Sequence, residues 1–347
     1  MIPLDNRIAA FSILGKILHS VQEGNQLYEY FDNAVKSACT DNPWFIYHEV
    51  WDSLRNIGRM LKEDELLAWV SKYNQLSQST YSARKVGVVM AGNIPAVGFH
   101  DMLCVLMAGH CFYGKPATGD KRLLDAIARM IIAIEPDFKN FISFHHNFSF
   151  TADMVIATGS NNSYRYFNYY FGNLPHIFRK NRNSVAIITG NETEVDLNAL
   201  GKDIFTYCGL GCRNVSSLFL FPEADPDRLL TGIHQFGQII DHQPYQNSYR
   251  FQKALLKMNN TDFYDNGFVL MAHSKQLASP VGVLHYSLVQ NPKELEKNLE
   301  NHNDQIQCIV AGNPEEWAFP VIQFGKAQQP TLLDYTDGID TMEFLLS

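Results

Sequence analysis

Residues 85–95, KVGVVMAGNIP, join a short apolar run to a Gly-Asn-Ile-Pro turn. An uninterrupted run rich in valine is what a strand buried on both faces of a parallel sheet requires. An apolar helical segment follows through Leu106 and closes at Ala108-Gly109, and a second strand, HCFYG, occupies 110–114. Asp120 reads as the N-cap of another helix, on which Leu123, Ile127, Met130 and Ile131 keep helical spacing. DMVIAT, residues 153–158, is the next strand. Strand and helix alternate, so the expected architecture is α/β with a doubly wound parallel sheet, which binds ligands at the carboxyl ends of its strands.

Upstream, the first 80 residues read as helices. Leu66, Trp69, Val70 and Tyr73 form one helical stripe, Asn42-Pro43 breaks the pattern before a helix near Phe45, and QLSQST at 75–80 is a polar connection. Downstream the α/β pattern repeats. SVAIIT (184–189) and SSLFLF (216–221) flank a helix, and VGVLHYSL (281–288), a helix from Pro292 to Asn301 and IQCIVAG (306–312) make another strand–helix–strand unit. The chain therefore divides into 1–190, 191–325 and a C-terminal segment 326–347, with two doubly wound domains preceded by a helical segment.

The composition bounds the function. Of 347 residues, 46% are apolar and 18% charged, the balance of a globular protein. The formal net charge is −8 and no Lys/Arg run tracks a phosphate backbone, which argues against a nucleic-acid partner. MIPLDNRIAAFSILGKILHS is amphipathic and unlike a signal peptide, and no apolar run reaches the roughly 18 residues of a membrane span. A cytoplasmic protein with no membrane span is expected, its six cysteines reduced.

FTYCGLGCRN, residues 205–214, sets Cys208 and Cys212 around Gly209 and Gly211. No other Cys/His pair stands at zinc spacing, so no metal is expected. Two buried thiols remain one reading. The other is a nucleophile at Cys212, with glycines admitting a substrate carbonyl, backbone N–H groups facing an oxyanion, and Arg213 supplying positive potential. Asn93 either caps the following helix or aims its amide into a cleft. Lys115, in GKPAT at 114–118, is a solvated charge or a ribose or phosphate contact, and ATGSNN at 157–162 resembles a phosphate-cradling turn. His100-Asp101 reads as structural because neighbours on a helix diverge. The NHND and HHN clusters lack metal spacing.

Taken in order, these motifs resemble the aldehyde dehydrogenase superfamily. Gly92-Asn93-Ile94-Pro95 is similar to its Trp-Asn-Phe-Pro motif, Lys115-Pro116 to Lys-Pro-Ser-Glu, and Thr158-Gly159-Ser160 to its Thr-Gly-Ser turn. Cys208–Cys212 is similar to Ala-Gly-Gln-x-Cys, and Ala278–Val281 to Phe-Gly-Pro-Val. AGNIPAVGFHD, ATGSNN, FRKNRNSVAI and GLGCRN resemble, more closely, the acyl-CoA reductase branch, which includes the fatty-acid reductase component of bacterial luminescence. The resemblance spans nearly the whole chain and is densest from Lys85 to Leu220.

The resemblance implies that residues 1–190 hold the NAD(P)-binding domain, 191–325 the catalytic cysteine domain, and that 326–347 return to the cofactor domain or an interface. It implies Cys212 as nucleophile, Asn93 as oxyanion donor, and Lys115, Thr118, Thr158, Gly159 and Ser160 as cofactor contacts. An acyl-CoA or acyl-carrier thioester would be reduced to an aldehyde through an S-acyl-cysteine. Where the superfamily has Glu-Leu-Gly-Gly-Lys with its general base, this chain has Phe178-Arg179-Lys180-Asn181-Arg182-Asn183, without a carboxylate. Thr118 replaces the ribose-binding acid and Lys121 and Arg122 lie near, which points to NADPH, with NADH the alternative. Gln276 replaces the glutamate before Phe-Gly-Pro-Val. Superfamily members are often dimers or tetramers, which leaves a homo-oligomer open. The competing functions are an acyl transferase working through Cys212 without hydride transfer and a catalytically silent scaffold.

Overall fold

The computed structural model describes residues 2–77, 82–147 and 151–347, so the connection at 75–80 lies partly outside the described residues. The chain forms two units, Met1–Lys180 with Pro330–Ser347, and Asn181–Gln329.

The first unit opens with four helices, α1 (Leu4–Ser20), α2 (Gln26–Asp41), α3 (Tyr47–Met60) and α4 (Glu63–Val70). Glycines set the approach of α1 and α3. A Cβ on Gly15 would stand 2.6 Å from the Leu61 Cβ, and one on Gly58 would stand 2.9 Å from the Gly15 carbonyl oxygen. Leu66, Trp69, Val70 and Tyr73 are all buried, although α4 ends at Val70.

The sheet of this unit follows as β1 (Lys85–Val89), α5 (Phe99–Met107), β2 (Cys111–Lys115), α6 (Lys121–Ile134), β3 (Ile142–Phe144), β4 (Met154–Thr158), α7 (Asn161–Phe171) and β5 (His176–Arg179). All five strands are parallel in the order β3-β2-β1-β4-β5. The central strand β1 has four of its five residues buried, as its valine-rich sequence requires. Helix α5 is buried along nearly its whole length.

Asp101 on α5 forms an ion pair with Arg179 at the end of β5, its two oxygens accepting from Arg179 Nη1 at 2.6 and 2.8 Å, and Arg179 Nη2 donates to the Thr341 hydroxyl at 2.8 Å. His100 turns to the Leu332 carbonyl at 3.2 Å. The two neighbours thus hold different partners, consistent with a structural role.

The last 18 residues pack on this unit and end in α12 (Thr341–Leu346). Tyr335 accepts from the Trp69 indole at 2.7 Å and lies 2.7 Å from the Tyr73 hydroxyl, which donates to Asp340.

The second unit runs β6 (Asn183–Ile188), α8 (Glu194–Phe205), β7 (Val215–Leu220), α9 (Pro226–Gly232), α10 (Gln243–Met258), β8 (Phe263–Asp265), β9 (Leu270–His273), β10 (Val283–Leu288), α11 (Pro292–Asn301), β11 (Ile306–Ala311) and β12 (Ile322–Gln323). The order is β12-β11-β6-β7-β10-β9-β8, with only the β8–β9 pair antiparallel. Strand β6 bonds to β7 and β11, and so belongs to this unit. Among the described residues, no helix is long and apolar enough to cross a membrane, and no three His, Cys, Asp or Glu side chains gather as metal ligands.

Candidate active site

The first unit gathers its candidate residues at one edge. β1, β2 and β4 are adjacent and parallel, so the turns leaving them lie side by side. Asn93 is exposed in the turn after β1, Lys115 is the last residue of β2, and Thr118 opens the 3₁₀ turn that follows. Thr158 ends β4, Gly159 follows, and Ser160 caps α7 by accepting from the Ser163 amide at 3.3 Å.

Two glycines permit this convergence. A Cβ on Gly92 would lie 2.5 Å from the Ala117 Cβ, so the turns after β1 and β2 touch there. A Cβ on Gly159 would meet Ser163 and Phe167 at 2.9 and 3.0 Å. Neither sits in the left-handed region, so close approach is the reason for each glycine.

Asp120 corrects a sequence expectation. It stands just before α6, but its carboxylate makes no capping bond to that helix. It accepts instead from the Ala96 amide at 2.9 Å and the Val97 amide at 3.2 Å. Those amides belong to the turn carrying Asn93, in which Ala96 holds a φ of 55°. Asn93 does not cap α5 either, since Gly98 occupies the N-cap position.

Burial pushes the Asp120 carboxyl up to about 8, against the pull of the two N–H donors. A carboxyl raised in the folded state contributes stability that is complete below its ordinary value and lost as pH rises through the folded one. Relative to Asp120→Asn, the wild-type protein should therefore lose stability steadily from about pH 4 to pH 8. Urea midpoints of both proteins across that range check this, and a constant difference between them would refute it.

In the second unit, α8 ends at Phe205 and a 3₁₀ turn begins. Tyr207 and Cys208 then take φ of 55° and 56°, and Gly209 takes 75°. Two non-glycine residues in the left-handed region are costly, and such a run persists only where its surroundings enforce it. Gly209 is required by its own conformation, whereas the sequence suggested that it clears space around Cys212. The backbone reversal turns Cys208 inward, leaving it 1% exposed. Cys212 is half-buried in the next turn, directly before β7. None of the six cysteines is in a disulfide.

Asn214 holds this turn. Its side-chain amide donates to the carbonyls of Asp203 at 3.0 Å, Ile204 at 3.3 Å and Thr206 at 2.8 Å, and its Oδ1 accepts from the Gly211 amide at 2.8 Å. The sequence signal for this role is its place beside glycines in a turn, which does not name the carbonyls it bonds. Asn214→Ala strands several buried backbone groups and should cost about 1–3 kcal/mol. The measurement is a urea melt of the variant beside wild type, with an unchanged midpoint as the refuting result.

Arg213 donates through Nε to the Ala327 carbonyl at 2.5 Å. Asp203 accepts from the amides of Gly325 at 2.6 Å and Ala327 at 3.0 Å, and burial pushes its carboxyl up to about 6 while the Arg213 charge pulls it down. Arg213 and Asp203 thus both hold the segment around Ala327, a role the sequence did not suggest. Gln276 is exposed, with its carbonyl 2.8 Å from His285 Nδ1.

The α7 N-terminus has no acidic residue in its first turn, and a capped helix end beside a glycine receives a phosphate oxygen favourably.

No family model and no curated protein matches this sequence. Solved structures do match. An oxidoreductase from Marinobacter aquaeolei aligns with a TM-score of 0.66 at 11% identity, over 95% of this chain and 79% of that one. The Mycobacterium tuberculosis aldehyde dehydrogenase complexed with NAD+ aligns with a TM-score of 0.60 at 12% identity, over 89% and 73%. Proline utilization A from Bradyrhizobium japonicum aligns with a TM-score of 0.61 at 15% identity, over 89% of this chain and 36% of that longer one. The fold is therefore α/β of the aldehyde dehydrogenase type, as the sequence motifs implied.

Proposed function

We propose that this protein is a nicotinamide-dependent oxidoreductase acting on an oxo group, and specifically an NADPH-dependent reductase of fatty acyl thioesters. The observation that carries the reading is the contrast between two thiols of one turn: Cys208 is sealed at 1% exposure, while Cys212 is half-buried at the mouth of β7 in a turn pinned by Asn214. The structure that holds NAD+ on the same fold supports the cofactor class.

In this reading the Cys212 sulfur attacks the thioester carbonyl, the CoA or carrier thiolate leaves, and an S-acyl-cysteine forms. The roles that the motif resemblance implies are oxyanion donation for the Asn93 amide and for the Cys212 N–H, a donor of that kind contributing about 3 kcal/mol to such a step. Lys115 and Thr118 bind the adenosine ribose or its phosphate, and Thr158, Gly159 and Ser160 seat the nicotinamide end. The dihydronicotinamide, when bound, supplies the hydride that converts the acyl group to an aldehyde. Residues 178–183 contain no carboxylate to activate water, and Arg179 among them is committed to Asp101, which favours survival of the thioester over hydrolysis.

The test incubates the protein with NADPH or NADH and acyl-CoAs of graded length, following nicotinamide absorbance and intact mass together. Nicotinamide oxidation with an acyl adduct on Cys212 is the expected result. An adduct without oxidation marks an acyl transferase, and neither signal marks a silent scaffold.

A further inference from the structure

Strand β6 carries an anomaly beside the candidate nucleophile. Ser184 is fully buried in β6 beside the apolar run Val185–Ile188, where an unsatisfied hydroxyl is costly. Both neighbouring strands carry an extra residue opposite it. On β7, Ser184 pairs with Val215 and Val185 with Ser217, leaving Ser216 over. On β11, Asn183 pairs with Ile306 and Val185 with Ile309, again one residue in excess. Bulges on both sides of a single residue re-aim what they flank.

The Ser184 hydroxyl donates to the Cys212 carbonyl oxygen at 2.9 Å and lies 3.0 Å from the Cys308 sulfur. Its single proton is used on the carbonyl, so the Cys308 S–H is the donor in the second contact. The result is a buried chain from the Cys308 thiol through the Ser184 hydroxyl to the backbone of Cys212. Residues 184 and 308 are 124 positions apart, and β11 brings them together.

We infer that Ser184 and Cys308 are positioning residues for Cys212: they anchor its carbonyl, fix the peptide that follows it, and so set the direction of its side chain. Ser184 satisfies two demands, its own need for partners and the orientation of the reactive thiol, and the paired bulges make room for it. This rests on the assignment of Cys212 as nucleophile.

The test uses Ser184→Ala, Cys308→Ala and Cys308→Ser in the full chain. With octanoyl-CoA and NADPH, Ser184→Ala should lower kcat by roughly 10²-fold with KM held, the scale of a misaimed reactive group. Cys308→Ala should lower kcat less, and Cys308→Ser should restore it, because a hydroxyl donates as the thiol does. Cys308→Ser behaving as Cys308→Ala, or full turnover by Ser184→Ala, overturns the inference.

A second arm does not depend on the reductase reading. Iodoacetamide alkylation of Cys212, followed by peptide mass, should change roughly tenfold in Cys308→Ala, the equivalent of one hydrogen bond, and return in Cys308→Ser. An unchanged rate across these variants overturns the anchor even if wild type proves inactive on thioesters.

Discussion

Cys212→Ser should lower turnover of an acyl thioester by roughly 10³-fold or more, the scale on which removal of a nucleophile registers. The acyl adduct should vanish from the intact mass in the same variant. Cys208→Ser should keep both adduct and turnover, because its sulfur is sealed beneath the turn and meets no substrate. Its conformation also matters here: Cys208 holds a φ of 56°, and serine tolerates that strain about as well as cysteine does. Adduct mapping by peptide mass checks the assignment, and an adduct retained in Cys212→Ser but lost in Cys208→Ser reverses it.

Arg179→Met should destabilise the first unit by about 3–5 kcal/mol, the cost of leaving one partner of a buried ion pair alone. Arg179 is 3% exposed and Asp101 6%, so neither charge is relieved by solvent when its partner goes. The double variant Arg179→Met with Asp101→Leu should recover most of the loss, because the pair itself was expensive to bury. The Arg179 Nε supports this, since it is buried with no hydrogen-bond partner. Urea denaturation of both single variants and the double variant measures the coupling. Additive losses would show that the two side chains act independently.

Much of the fold could be read from local pattern. The valine-rich run at 85–89 reads as a buried parallel strand and is one, and Pro292–Asn301 appears as a helix with the bounds its capping residues suggest. The strands β3, β5, β8 and β12 could not be read in this way. They have two to four residues, several partly exposed, and pairing with a neighbour rather than local sequence makes them strands. β9 lies within the apolar run FVLMAH, which carries a strand signal of its own.

The candidate site divides similarly. The turns around Asn93, Lys115 and Thr158–Ser160 announce themselves by glycine, proline and their place after strands. The contrast between Cys208 and Cys212 depends on three consecutive left-handed residues, and only one of these is the glycine that would signal it. Asp120 misleads because a carboxylate before a helix has the same local grammar whether it caps that helix or serves a distant turn. Ser184 and Cys308 are joined only by strand pairing, which no local window contains.

The return of the C-terminal segment has a consequence for biogenesis. Residues 181–329 are contiguous, so a ribosome delivers that unit whole while the first still lacks Tyr335, Asp340 and Thr341. The part of the polypeptide synthesised earliest is thus the last to be completed. Until residues 330–347 emerge, Trp69 lacks the Tyr335 hydroxyl and Arg179 lacks the Thr341 hydroxyl. Order of synthesis and order of completion therefore run opposite for these two units.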